Sequence, residues 1–429
     1  MTLWRTMFVE FLSSCATLWA LLSKLSWPSI LLITLILYVL TCSLLRFRSL
    51  RSMKSRFNFP DRASLAQMTG SEAQAIIEHA YTYEFPLFFG LSLAYAQMKT
   101  YAIQNIAKLL AATGNLSKQS KVSKRFEDTA LIFACFMLFP PDSPQLHGAV
   151  ARMNYLHSPY IRSGKIQNED LLYVLYAAMS EPVRFIRLYE WRELSMFEIA
   201  AQGTLWKMVG DMMGINYTEA LGKDNWKDGL EFMEQVEQWA LHYETDRLRP
   251  SHPSRQLANA QLDLLTSIFP SFMRSLMRQM GLVMMGDKMR CSFGFPEPST
   301  AISALTLTLL WLRQIMMRFF MPPRLTSRRY VTDPDPITGR MYSTHYVKEP
   351  WYNRPTTWAR WGPAAWATWV FGGMLPGDGG QEMKPDGFLF EDIGPKAKMD
   401  LGAEETRNIQ EVVHAAAMAS GRCPFALKE

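Results

Sequence analysis

Residues 25 to 45, LSWPSILLITLILYVLTCSLL, carry no charged side chain. At about 1.5 Å per helical residue the run is long enough to cross a hydrocarbon core of about 30 Å, so it predicts a transmembrane helix. It is longer than the apolar core of a signal peptide, and no small-residue cleavage site follows it before the basic run. Arg46, Arg48, Arg51, Lys54 and Arg56 come after it, whereas Arg5 and Lys24 come before. The positive-inside bias therefore places residues 1–24 in the lumen, residues 46–67 as a basic linker, and the bulk of the chain in the cytosol. The sequons Asn115-Leu-Ser and Asn216-Tyr-Thr would be idle in that orientation.

Composition agrees with lipid contact. Apolar residues make up 48% of the 429, with 27 Met, 25 Phe and 13 Trp, and charged residues are 20% against an average of about 25%. The net charge of +6 gathers beside the apolar run rather than on a folded patch, which reads as a membrane flank and not as a nucleic-acid surface. The five cysteines are scattered and never in C-x-x-C spacing, so neither a disulfide framework nor a zinc site is indicated, and a reducing compartment fits.

From residue 68 to 320 apolar residues recur at three and four spacing, which predicts an all-α domain. Ser195-Met-Phe-Glu198 is a capping box, Leu194 and Ile199 form a hydrophobic staple, and Gly214 stands at a C-terminal cap, so 196–213 is a helix. Other helices are expected over 71–84, 88–112, 122–138, 144–158, 168–180, 183–193, 225–245, 255–280 and 299–320. The last reads as a core helix, with lipid contact as the rival; Arg313 and Arg318 argue against a second full span. Residues 321–429 are rich in Trp, Pro and Gly and are expected to pack on the helical domain as an extension. The rival for Trp351, Trp358, Trp361, Trp366 and Trp369 is a membrane-interface belt.

Several chemistries are excluded by motif. H-E-x-x-H, G-x-S-x-G and a P-loop are all missing, and Cys423 is too near the C-terminus for a thiolate-haem site. One Glu-x-x-His pair is present, Glu411 to His414, where a carboxylate-bridged di-iron bundle needs two. In RMNYLHSPY, His157 would sit on the last turn of a helix and share a face with Met153, Val150 and Leu146. A neutral imidazole there is either a satisfied core histidine or a metal ligand whose Nδ1–H is held by a carbonyl one turn back. In KVSKRFEDTALIF, Arg125, Asp128 and Thr129 lie at i, i+3 and i+4 and form one polar helix face. That face is either a solvated first turn with an ion pair or a set of groups above a metal.

The segments RFEDTALIF, ARMNYLHSPYIRSGKIQNEDLLYVLYAAM and YEWRELSMFEIAAQGTLWKMVGDMMGI resemble the family that joins MpaB, the ER-bound oxygenase of mycophenolic acid biosynthesis, to bacterial rubber oxygenases. The resemblance covers roughly residues 60 to 280. It implies a globin-like helical domain over 68–320 that binds haem b through its iron. It also implies cleavage by dioxygen of a double bond in a prenylated small molecule, here the farnesyl chain of a phthalide intermediate, at the ER membrane. By motif His157 resembles the axial ligand, and Arg125 and Thr129 resemble distal residues. Rubber oxygenases carry lysine where Asp128 stands, so Asp128 is expected either as a base or as a partner of Arg125. Arg152 is a candidate partner for a haem propionate. The rivals are a non-haem metal enzyme using Glu411 and His414, and a membrane-anchored scaffold or lipid-binding protein with no catalysis.

Overall fold

The structure, a computed structural model, describes residues 26–419 and 423–425; the expected lumenal segment 1–24 lies outside them. The chain divides into two compact units. One is built from residues up to Arg56 with Leu312–Pro323, the other from Phe57–Trp311 with Arg324 onward.

In the first unit, α1 (Trp27–Phe57) does not stop at residue 45 but continues through the basic run. No Gly or Pro interrupts residues 46–57, and Arg and Lys are good helix formers. The stop comes from Asn58, whose φ of 45° is left-handed, followed by Pro60. Leu31, Leu35 and Leu44 on α1 are exposed. Arg46 is buried instead of flanking lipid: its guanidinium donates to the carbonyls of Met317 and, at 2.8 Å, Met321. Tyr38 Oη donates to the Phe320 carbonyl at 2.7 Å. These donors satisfy helix-end carbonyls that have no backbone partner.

The second unit is a bundle of principal helices α2 (Gly70–His79), α3 (Pro86–Thr100), α4 (Gln104–Thr113), α5 (Gln119–Leu138), α6 (Pro144–Arg162), α7 (Asn168–Tyr189), α8 (Met196–Met212), α9 (Gly229–Arg247), α10 (His252–Thr266), α11 (Ser271–Met285) and most of α12 (Thr300–Ile315), whose residues from Leu312 on belong to the first unit. A looped extension carries α13 (Thr357–Trp361), α14 (Pro363–Val370) and α15 (Ala403–Ala419). No sheet forms among the described residues, only isolated bridges such as Val331 to Ser343. The all-α expectation therefore holds. Helix α3 packs along α7, α8 lies between α2 and α9, α5 packs on α6, and α15 covers α6. The α8–α9 crossing is close because Gly203 and Gly229 face each other: a Cβ on Gly203 would stand 2.0 Å from the Gly229 carbonyl oxygen.

Four expected boundaries move, each for a local reason. The run 88–112 is two helices, broken where Ile103 bridges to Leu248. The runs 168–180 and 183–193 are a single helix through Pro182, because Met179, Pro182, Phe185 and Ile186 are all buried and packing outweighs a penalty of about 3 kcal/mol. The run 255–280 is broken before Pro270, which stands ahead of α11. Helix α6 passes Pro159 and ends only at Gly164, whose φ of 68° is left-handed, so His157 stands more than a turn inside the helix.

Two faces are more exposed than a core reading implies. Helix α12, continued by a π turn to Phe320, is not a core helix: Leu305, Leu307, Leu309 and Trp311 are exposed. With α1, it is one of two helices long and apolar enough to cross a membrane. Of the five clustered tryptophans only Trp351 is buried. The amphipathic period is the same for a helix facing core or lipid, and the Trp cluster has no period at all.

Candidate functional site

Helix α5 brings Arg125, Asp128 and Thr129 together, but with a fourth member. Lys124 lies one turn before Asp128; both are buried, and Nζ contacts Oδ1 at 2.9 Å and Oδ2 at 3.1 Å. Lys124 also donates to Tyr352 Oη at 2.8 Å and to the Gly394 carbonyl at 2.6 Å. Burial lowers the lysine pKa while Asp128 opposes the shift. Tyr352 Oη donates to Asp128 Oδ1 at 2.8 Å, and Arg125 reaches Oδ2 at 3.4 Å. Both carboxylate oxygens are thus occupied and Asp128 is sealed from solvent. It aims Arg125 and fastens the extension, so of the two expected arrangements the contacts show the pairing with Arg125. Thr129 Oγ1 donates its proton to the Arg125 carbonyl at 2.8 Å, which leaves lone pairs and a methyl group to face outward.

His157 is partly exposed. Burial, with help from the Arg125 charge, nonetheless pushes its pKa down to about 4. The imidazole therefore stays neutral near pH 7. The expected hydrogen bond to a carbonyl one turn back is not formed. Arg152 is fully buried, and its guanidinium is committed to the carbonyls of Ile393 and Leu401 at 2.7 Å and of Glu391 and Lys398 at 2.8 Å. Four of its five N–H donors are thus engaged by the extension.

A cavity of about 380 Å³ lies alongside, within the range of small-molecule sites. Leu87, Leu91, Ala94, Phe126, Phe133 and Val174 give it an apolar wall. Thr129 is the expected site residue that lines it; His157, Arg125 and Asp128 are not on its wall. The extension supplies its polar side through Arg328, Tyr330 and His345. His345 Nδ1 is 2.6 Å from Thr344 Oγ1, whose own proton goes to the Arg329 carbonyl at 2.6 Å. The threonine oxygen therefore accepts, Nδ1 carries the hydrogen, and Nε2 keeps its lone pair. Burial and the Arg328 charge lower the His345 pKa. Beneath this wall Glu127 is buried, accepts from Tyr330 Oη and, at 2.9 Å, from the Val347 amide, and is pushed up to about 7 by burial.

Lys124 had a visible signal, a Lys four residues before an Asp on one helix. Tyr330 and Tyr352 had none, since they meet Glu127 and Asp128 across 203 and 224 residues of sequence, and His345 lies in a loop that no periodicity places. Glu411 and His414 are exposed on α15, where His414 meets the His147 ring at 5.2 Å between centroids. Among the described residues no three His, Cys, Asp or Glu side chains converge.

The site belongs to a helical protein with an apolar cavity whose polar wall is supplied by a looped extension. The family described as ER-bound oxygenase mpaB/B'/Rubber oxygenase, catalytic domain, matches residues 81–318. An ER-bound oxygenase mpaB' of Penicillium brevicompactum is 38% identical over 94% of this chain and 96% of its own. An ER-bound oxygenase mpaB of the same species is 36% identical over 88% and 91%. An ER-bound oxygenase mpaB of Penicillium roqueforti (strain FM164) is 36% identical over 63% and 91%. The chain belongs to this oxygenase family and is an oxidoreductase, with Trp27–Phe57 as a candidate span.

Proposed function

We propose that this oxygenase holds haem b through His157 and uses dioxygen to cleave a carbon–carbon double bond in the farnesyl side chain of a phthalide meroterpenoid of mycophenolic acid type. In this reading it is a single-pass ER membrane protein with its catalytic domain in the cytosol. The observation that carries it is His157, a neutral imidazole inside the protein that makes no hydrogen bond with a described residue. A lone protein nitrogen is too few donors for a bare cation but suffices for a porphyrin iron, which brings four of its own. The donor set therefore fits haem better than the Glu411 and His414 alternative.

Bound haem supplies the iron at which dioxygen is activated. The chain's residues do the rest. Arg125, aimed by Asp128, offers guanidinium donors to an oxygen atom that gains charge. Thr129, its proton already given to its own helix, accepts rather than donates. The apolar wall excludes water and holds the prenyl chain, each buried CH₂ contributing about 0.8 kcal/mol. Arg324 and Arg328 are the cations on the cavity wall; Arg324 donates to the Tyr83 and Glu84 carbonyls at 3.2 Å, and Arg328 is the candidate for an anionic group of cofactor or substrate.

The test is the purified full chain in lipid nanodiscs with a farnesylated phthalide and ¹⁸O₂. A shortened side chain bearing labelled carbonyl oxygen supports the reading; a product of full carbon count contradicts it. One observation favours a second ligand within the same reading: His345 borders the cavity itself, with Nδ1 held by Thr344 and Nε2 free. Haem retention in His157→Ala and His345→Ala separates the two.

A further inference from the structure

Helices α13 and α14 form a short hairpin about Gly362, and its aromatic residues face outward. Trp358, Trp361, Trp366 and Trp369 are 76%, 66%, 52% and 62% exposed, and Phe371 is 56% exposed. Trp366 touches Trp361 and Trp369, with centroids 6.4 Å and 5.9 Å apart, so the rings form one continuous surface. Contiguous apolar surface of this kind is rare on a protein that meets only water. The hairpin is held in shape all the same: Gly362 lies against the Trp358 ring, where a Cβ would meet the Trp358 carbonyl at 2.6 Å. Thr356 caps α13, and Arg360 pairs with Asp378 at 3.0 Å.

We propose that this hairpin is a second membrane contact, lying in the interfacial layer of the bilayer to which the chain is tethered. Three observations select lipid as the occupant. The same chain carries a candidate span, Trp27–Phe57, whose leucines are exposed. Tryptophan is the residue that favours the headgroup boundary, where an apolar ring and an N–H donor are both accommodated. The hairpin is also joined to the cavity wall: between His345 and Val347, which line the cavity, Tyr346 donates to the Met374 carbonyl at 2.9 Å, just past the hairpin. The hairpin is thus linked by a hydrogen bond to the segment that lines the cavity. Because Arg360 is paired and Arg354 lies over the Tyr342 ring, the contact is apolar rather than electrostatic, and it engages zwitterionic lipid and resists salt.

The experiment uses the full chain in phosphatidylcholine nanodiscs, one chain per disc, with ordinary or brominated acyl chains. A quadruple variant, Trp358→Phe, Trp361→Phe, Trp366→Phe and Trp369→Phe, keeps the apolar surface and removes the fluorophores. Its emission subtracted from that of the wild type isolates the hairpin from the other tryptophans. The expected result is that brominated lipid quenches this difference emission several-fold, equally at low and high salt. An unquenched difference emission overturns the proposal, and its further burial in discs holding two chains would assign the surface to a second copy. Should the quadruple variant not fold, the four single substitutions give the same subtraction. The measurement needs neither haem nor turnover, so it stands apart from the proposed reaction.

Discussion

Lys124 and Asp128 share one buried pair, and removing the carboxylate strands the ammonium. Asp128→Asn leaves the ammonium without a counter-charge and is expected to destabilise the protein by about 3–5 kcal/mol, read from denaturant unfolding. A loss of activity at unchanged stability would instead restore Asp128 as a base. Other groups set the pH dependence, with opposite signs. Glu127 is raised from 4.5 to about 7, so the folded state binds its proton more tightly; that stabilisation is complete below 4.5 and lost as pH rises through 7. In the haem-free chain His157 is lowered from 6.5 to about 4, so its contribution is complete above 6.5 and lost as pH falls towards 4, and the lowered His345 acts in the same sense. Glu127 and the histidines oppose each other between 4.5 and 6.5. Thermal melts are expected to fall from pH 6.5 to 7.5, and Glu127→Gln should remove that fall. An unchanged fall in the variant would place the titrating group elsewhere. Arg125, Asp128, Thr129 and His157 were legible as helix-spaced polar residues within apolar runs. What occupies their atoms was not, since it depends on Tyr352 and the 391–401 loop, which no periodicity places.

Helices were legible wherever caps and turns decide them. The Ser195 capping box forms as expected, with Glu198 accepting from the Ser195 amide at 2.7 Å. Prolines misled, because Pro159 and Pro182 sit inside helices whose buried faces outweigh the lost hydrogen bond. Close crossings were also hidden, since a glycine in a helical run looks like a weakness until its neighbour is known. Gly203→Ala would drive a Cβ into the Gly229 carbonyl, a backbone atom that cannot swing aside, and is expected to cost about 1–3 kcal/mol or more. Gly90→Ala on α3, whose nearest neighbour is Tyr81 at 3.9 Å, should be neutral or stabilising by up to about 1 kcal/mol. Melting temperatures that shift alike in the two variants would mean that the α8–α9 contact is not close.

At the scale of the molecule, a bundle gives helices a cavity that the extension completes. Lys124, Glu127 and Arg152 each bind residues beyond 320, so the loop-rich tail finishes the functional unit rather than decorating it. That was not legible, because a tail rich in Pro and Gly has no pattern to say which face it covers. The tether and the all-α body were, through length, hydropathy and helical spacing. The central claim is that a neutral imidazole inside this bundle holds haem iron. The direct measurement is the optical spectrum of the full chain purified in detergent, beside His157→Ala and His345→Ala. A Soret band in the wild type and in His345→Ala, lost in His157→Ala, is the predicted result; a band that survives His157→Ala unchanged would contradict it.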